Sequence, residues 1–477
     1  MIKVGLYIAI APDQEKSWSN LPPLGFGYLS AYTKANVPGV EFLVERNLDN
    51  LIAARPDLVG ISFVTHTARL AVRQARRVKD ALGCPVLCGG PHVSTLPIVL
   101  DPAFDLAVLG EGEETFAELM RLWLNEKKFV ASSLRKVPGI LFRDEDGRLE
   151  RTSPRPMIEN LDMIPYPDRD LLFEQWREPK VRVQLLTSRG CPYHCNFCST
   201  IVHWGRTWRT ASETYVLGEL ALIRRKYDPV SIHFYDDLFT INRDRTLSLL
   251  KAMRDRNLHQ GVEFDAFVRS NLLDDELMES LARTNFKILH VGFESGSDNV
   301  LKAFNKQGVN VRKHRLVIDL ARKHGILFTS CFILGAPGET RQDILETFEF
   351  VRQNADSFYC VHFTPLMIMP GTQVWEWARE LGYSEHNMEG IALDTEDFAD
   401  DNSFLERRWP YLNAKNIPRE EMINYLHLGR MMEDLVDRLH QANQRALSPS
   451  FVAENVPLAQ IVREKTRNRF KKFMPTG

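Results

Sequence analysis

Two long stretches of this chain alternate short strand-like apolar runs with amphipathic helical runs, and that alternation limits the folds open to it. In the second stretch the strand-like runs recur near residues 183, 230, 262, 287, 327 and 358. Helical runs such as ETYVLGELALIRRKY (213–227) and QDILETFEFVRQN (342–354) separate them. Six such units are too few to close an eight-stranded barrel, so the pattern predicts an open, partial (β/α)6 barrel. The first 135 residues alternate likewise, through KVGLYIAI, PLGFGYLSAYTKA, LVGISFV, TARLAVRQARRVKDAL, PVLCGG and DLAVLG. They predict a doubly wound parallel sheet of Rossmann-like type.

The expected organisation is therefore α/β in four parts. Residues 1–135 form the sheet domain. Residues 136–176, rich in proline and charge and with a hairpin-like DEDG, form a linker, and 177–375 the partial barrel. Residues 376–477 form a mostly helical cap over the barrel mouth that helps to choose the substrate. It includes the amphipathic REEMINYLHLGRMMEDLVDRLHQANQ (419–444) and a basic tail, KTRNRFKKF (465–473), read as a solvated end.

Composition excludes several classes. The net charge of −2 offers no basic field for nucleic acid. No apolar run nears the roughly 20 residues of a membrane span, and MIKVGLYIAIAP reads as a buried strand, not a signal segment. Seven cysteines in 477 residues argue against a secreted disulfide framework and for a reducing cytoplasm.

Three of those seven cysteines lie in SRGCPYHCNFCS (188–199), at Cys191, Cys195 and Cys198. A Cys-X-X-Cys pair alone would admit zinc, a redox dithiol or nothing. Zinc lacks a second Cys/His pair at finger spacing, and a dithiol needs two cysteines, not three. Three thiolates on one loop suit a [4Fe–4S] cube whose fourth iron stays open. The loop follows VRVQLLTS (181–188), and so hangs from a strand's C-terminal end, where α/β barrels place their chemistry. Cys84 and Cys88 read as core residues; Cys331 and Cys360 open the fifth and sixth strands and read as buried packing, with a cavity-facing hydrogen donor or thiyl as the alternative.

C-x-x-x-C-x-x-C with Phe197 before its last cysteine resembles the signature of radical S-adenosylmethionine (SAM) enzymes. In that family SAM chelates the open iron through its amino and carboxylate groups, and the reduced cluster cleaves it to a 5′-deoxyadenosyl radical. Further segments follow in the family's order. HFYDDLFTINRDR (233–245) resembles the second strand, with Asp236 and Asp237 at the SAM amino group. Arg269, ending EFDAFVRS, is the implied partner of the SAM carboxylate. HVGFESGSDNVLKAFNK (290–306) resembles the fourth strand, with Glu294 and Ser295 near the ribose. CFILGAPGET (331–340), with Gly335, resembles the fifth, against adenine, and FTPLMIMPGT (363–372) the sixth. An electron donor such as flavodoxin or ferredoxin is implied as a partner.

The strand-end loops of the first domain carry Thr65–His66, GGPHVSTLP (89–97) and GEGEET (110–115), while no G-x-G-x-x-G follows the first strand. PPLGFGYLSAY, GGPH and GEGEETF resemble the cobalamin-binding domain that precedes the radical core in one branch of the family. The resemblance implies cobalamin contacts at Thr65, His66, Gly89, Gly90, Pro91, His92, Gly110, Glu111 and Gly112. It spans residues 1 to 375. The Asp-x-His-x-x-Gly loop that ligates cobalt in many cobalamin proteins is missing, since the region reads APDQEKSWSN, so cobalt is expected without a histidine ligand.

The implied enzyme uses a [4Fe–4S] cluster, SAM and cobalamin to methylate an unactivated carbon, or a phosphorus, of a small molecule. Two other readings stand beside it: a non-methylating radical reaction such as ring formation, ring contraction or oxidation, and a cofactor-binding sensor without turnover. The residues name no substrate and no catalytic side chain.

Overall fold

A computed structural model describes residues 1–9, 22–96, 100–173, 182–383 and 409–446. The first sheet has seven strands, in the order β2-β1-β3-β4-β5-β6-β7. These are β1 (Ile2–Ile8), β2 (Val40–Glu45), β3 (Leu58–Ser62), β4 (Val86–Gly89), β5 (Leu106–Val108), β6 (Ile140–Arg143) and β7 (Leu149–Arg151). Strands β1 to β5 are parallel, with helices on both faces, so they are near-continuous apolar runs. The order reverses direction between β1 and β3, leaving a crevice outside their carboxyl ends.

Two features depart from expectation. The edge strand β2 (VEFLVE) is only partly buried, so its apolar pattern is diluted and it was not read as a strand. The segment expected as linker supplies β6 and β7, a hairpin that extends the sheet antiparallel to β5. Its DEDG turn is held by Asp144 Oδ1, which accepts from the backbone of Asp146 (3.0 Å) and Arg148 (2.7 Å). The first sheet therefore runs to Arg151, not to residue 135.

The second sheet is parallel and open, in the order β15-β14-β13-β12-β11-β8. After β8 (Arg182–Leu185) comes a short antiparallel ladder of β9 (Ser188–Arg189) with β10 (Arg209–Thr210). Then follow β11 (Ser231–Phe234), β12 (Glu263–Val268), β13 (Phe286–Glu294), β14 (Leu327–Leu334) and β15 (Phe358–Pro365). The strands fall where the sequence placed them.

Side chains alternate across this sheet. Phe234, Phe264, Phe328 and Phe332 pack outward beneath the helices, while His233, Asp265, Thr329 and Cys331 are only half-buried and face the lumen. Cys360 and His362 share that inner face of β15 and lie 3.4 Å apart, Sγ to Nε2. Cys331 and Cys360 thus face the lumen, where the sequence favoured buried packing and left the cavity as the alternative. Cys88 is buried in β4 as expected.

The helix Arg419–Ala446 packs along β15, the sheet's edge. A Cβ at Gly429 would sit 2.5 Å from Phe363 Cβ, so only glycine permits this approach. Glu433 accepts a hydrogen bond from the Phe363 amide. The basic stretch 465–473 lies outside the described residues.

Candidate functional site

The cysteine loop leaves β9 at the carboxyl end of the open barrel. Asn196 ties it to the 303–305 turn, donating from Nδ2 to Ala303 O at 2.9 Å, and Asn305 donates to His194 O at 3.0 Å. Phe197 packs on Phe304 with ring centroids 4.9 Å apart, so it anchors the loop. Burial pushes the Cys191 thiol up to about 11 and raises Cys198, and neighbouring cysteines and Asp237 add to both shifts. A metal centre must displace the protons of such thiols when it binds them. Three thiols on one loop are the donor set of a [4Fe–4S] cluster with one iron left open. Arg269 lies against the loop, 4.0 Å from the Tyr193 ring centroid, and donates to Cys195 Sγ at 3.3 Å.

The paired acids separate by face. Asp237 is on the lumen side of β11's end, accepting from Gly190 N at 2.9 Å and Thr200 Oγ1 at 3.3 Å. Asp236 is fully buried, accepting from Thr187 N, Thr187 Oγ1 and Ser188 Oγ at 2.6–2.7 Å. It secures the end of β8 and is not free to meet a ligand, contrary to expectation. Glu294 has a left-handed backbone (φ 64°) at an irregularity in the β13–β14 register. It pairs with Lys306 at 2.7 Å, a partner the sequence did not single out. Ser295, expected near a ribose, is fully buried on Thr347 Oγ1 at 2.9 Å, holding a turn. Gly335 N donates to Glu339 Oε2 at 2.6 Å, and a Cβ there would meet the buried Trp409 at 3.0 Å.

A cavity of about 380 Å³ opens where the two sheets meet. Gly89, Gly90, Gly110, Glu111 and Gly112 line it from the first sheet, and Ser188, Arg189, Trp204, Tyr235 and Asp237 from the barrel. Gly25 and Gly110 form part of its wall, and a Cβ on either would meet nothing within 4 Å, so both leave room for a bulky flat ligand. Thr65, His66, Pro91 and His92, expected as contacts, do not line it. His92 Nδ1 lies 3.2 Å from Thr65 Oγ1, and its ring packs on Phe63 at 5.6 Å. Burial lowers His66 and takes His92 down to about 4, so both rings are held neutral away from the wall.

Arg189, two residues before Cys191, was missed. It pairs with Glu111 at 2.6 Å and Glu113 at 2.7 Å, and Arg209 joins Glu111 at 2.9 Å. Residues from GEGEET thus grip the strand that leads into the cysteine loop. Nothing in the spacing of residues so far apart announces that pairing.

Comparison with known proteins agrees with this geometry. Residues 185–351 match the Radical SAM superfamily and residues 16–120 the B12 binding domain. An uncharacterised methyltransferase of Pyrococcus horikoshii is 30% identical over 397 residues, covering 79% of this chain and 84% of that one. The chain belongs to the cobalamin-dependent radical SAM methyltransferase family. Cytidylyl-2-hydroxyethylphosphonate methyltransferase of Streptomyces wedmorensis is 28% identical over 340 residues, 62% of each chain. Among solved structures, the radical SAM methyltransferase TsrM of Kitasatospora setae superposes with a TM-score of 0.64 at 20% identity, over 80% of this chain and 76% of that one. The radical SAM family and the B12 domain account for the cofactors: a [4Fe–4S] cluster, SAM and cobalamin. Among the described residues no helix is long and apolar enough to cross a membrane.

Proposed function

We propose that this radical SAM enzyme methylates an unactivated carbon or phosphorus centre of a small molecule, using the cavity between its two sheets. The observation that carries the reading is the shared wall: glycines of the first sheet face Tyr235 and Asp237 of the barrel across one space. When bound, the cluster with SAM would supply the radical and cobalamin the methyl group.

The residues divide the work. Cys191, Cys195 and Cys198 hold the cluster, and Arg269 positions Cys195. Asp237 and the Glu294–Lys306 pair face SAM, while Asp236 and Ser295 position their strands. Gly25, Gly89, Gly90, Gly110 and Gly112 admit cobalamin. His66 and His92, held off the wall, would offer the cobalamin no imidazole. We take the cobalamin-binding unit to run to Arg151, with the chain from there to Phe173 leading towards the barrel. A small reductant such as flavodoxin or ferredoxin serves it in a reducing cytoplasm, with no nucleic-acid partner.

Anaerobic protein reconstituted with all three cofactors should form S-adenosylhomocysteine alongside 5′-deoxyadenosine when given a methyl acceptor. A second reading has specific support. Anaerobic magnesium-protoporphyrin IX monomethyl ester cyclase of Rubrivivax gelatinosus is 27% identical over 366 residues. A ring-forming reaction of that kind would yield 5′-deoxyadenosine without S-adenosylhomocysteine. Absence of both products would leave a binding protein without turnover.

A further inference from the structure

Three lumen residues lie on adjacent strands, each four positions before a residue of the site above. His233 of β11 precedes Asp237, Asp265 of β12 precedes Arg269, and His290 of β13 precedes Glu294. Four residues of strand span about 13 Å, so the three form a layer deeper in the lumen than that site. Their ligand atoms all lie within 4.8 Å of one another, and among the described residues they form the group that does so.

The contacts converge on one atom. Asp265 Oδ1 accepts from His233 Nδ1 and also from His290 Nε2 at 2.8 Å. The two imidazoles stand perpendicular, at 89°, with centroids 5.2 Å apart. Phe267 packs on both rings, at 5.2 and 5.0 Å, and Tyr235 on His233 at 5.3 Å, which fixes their orientation.

We propose that His233, Asp265 and His290 bind one divalent transition-metal ion of the zinc or ferrous class, inside the barrel lumen and separate from the cysteine loop. Two imidazoles and a carboxylate are the donor set such ions prefer, and three protein ligands leave a position open. The side chains are 12–24% exposed, so that open position reaches the lumen. An oxygen of the substrate would take it, polarised and held in register beneath the radical site.

Zinc is the probe, because it is distinguishable from the iron of the cluster. Cluster-reconstituted full-length protein, stripped with a chelator and dialysed against zinc, should retain about one zinc ion per chain beside about four irons. X-ray absorption at the zinc edge should show nitrogen and oxygen ligands at about 2.0–2.2 Å and no sulfur. Asp265→Asn and His290→Ala should each lower bound zinc by roughly tenfold while the iron content stays. Failure of the wild type to retain zinc, zinc bound through sulfur, or zinc undiminished in both variants overturns the proposal. Should the variants lose iron as well, the wild-type edge spectrum decides alone: an imidazole signature supports the site and its absence ends it.

Discussion

Arg189 donates to Glu113 Oε1 at 2.7 Å, with both side chains under a tenth exposed, across the boundary between the two sheets. Glu111 completes the arrangement, so two carboxylates from one sheet domain surround a guanidinium on the other. Desolvation makes such a group strongly dependent on its partners. The docking of the domains and the placement of Cys191 are therefore one structural fact.

Arg189→Ala leaves two carboxylates buried with Arg209 as their remaining cation, and should cost about 3–5 kcal/mol in urea unfolding. Adding Glu113→Gln to it should restore part of that loss. A single-variant cost below 1 kcal/mol, by the same measurement, would show that the network does not hold the domains together.

The two aspartates should fail differently. Asp237→Asn should leave unfolding within about 0.5 kcal/mol of wild type but lower SAM cleavage strongly. Asp236→Ala strands three buried donors and should cost at least about 3 kcal/mol. Urea titrations paired with a 5′-deoxyadenosine assay separate the two roles, and matching phenotypes would refute the division.

Gly25→Leu fills the cavity from the first turn of the helix Leu24–Asn36, where a Cβ meets no neighbour. Helix propensity makes the change slightly favourable for the fold, by under about 1 kcal/mol. Cobalamin affinity, read by equilibrium dialysis, should fall at least tenfold, or by about 1.4 kcal/mol. Unchanged affinity would place the corrin elsewhere.

Burial, with help from Asp343, pushes Glu339 up to about 8 against the donating Gly335 amide, and its second oxygen has no hydrogen-bond partner. A carboxyl with a raised folded pKa binds its proton more tightly folded than unfolded. Its contribution is full below about pH 4.5 and is lost as pH rises through about 8. Glu339→Gln should remove that dependence, so the variant gains on wild type between about pH 4.5 and 8, by a few kcal/mol in unfolding free energy. Parallel pH profiles would contradict the burial argument.

Much of the framework was legible because strand and helix periods differ and because three cysteines on one loop suit few centres. Alternation could also have separated Asp236 from Asp237. Ile232 and Phe234 mark the outward face of β11, which assigns Asp236 to the packed side and Asp237 to the lumen. The same reading places His233 in the lumen, but not that it meets Asp265 and His290, since that depends on register between three strands. His66 and His92 misled because a strand-end histidine looks available until its burial is seen, for His92 against Phe63 and Thr65. Arg189 was illegible for the same reason as β6 and β7: its partners come from the docking of separate segments.

An open sheet has raw margins, and a margin of unpaired amides invites another strand, from any chain, to add itself. Along β15 that invitation is withdrawn by the helix Arg419–Ala446, with Glu433 occupying the Phe363 amide. The same helix borders the lumen on the side of Cys360 and His362, where Asp437 lies near both. Selectivity and resistance to aggregation are thereby tied together in one element. A relative that reshaped this helix to admit a larger molecule would also have to find a new cover for the strand it exposed.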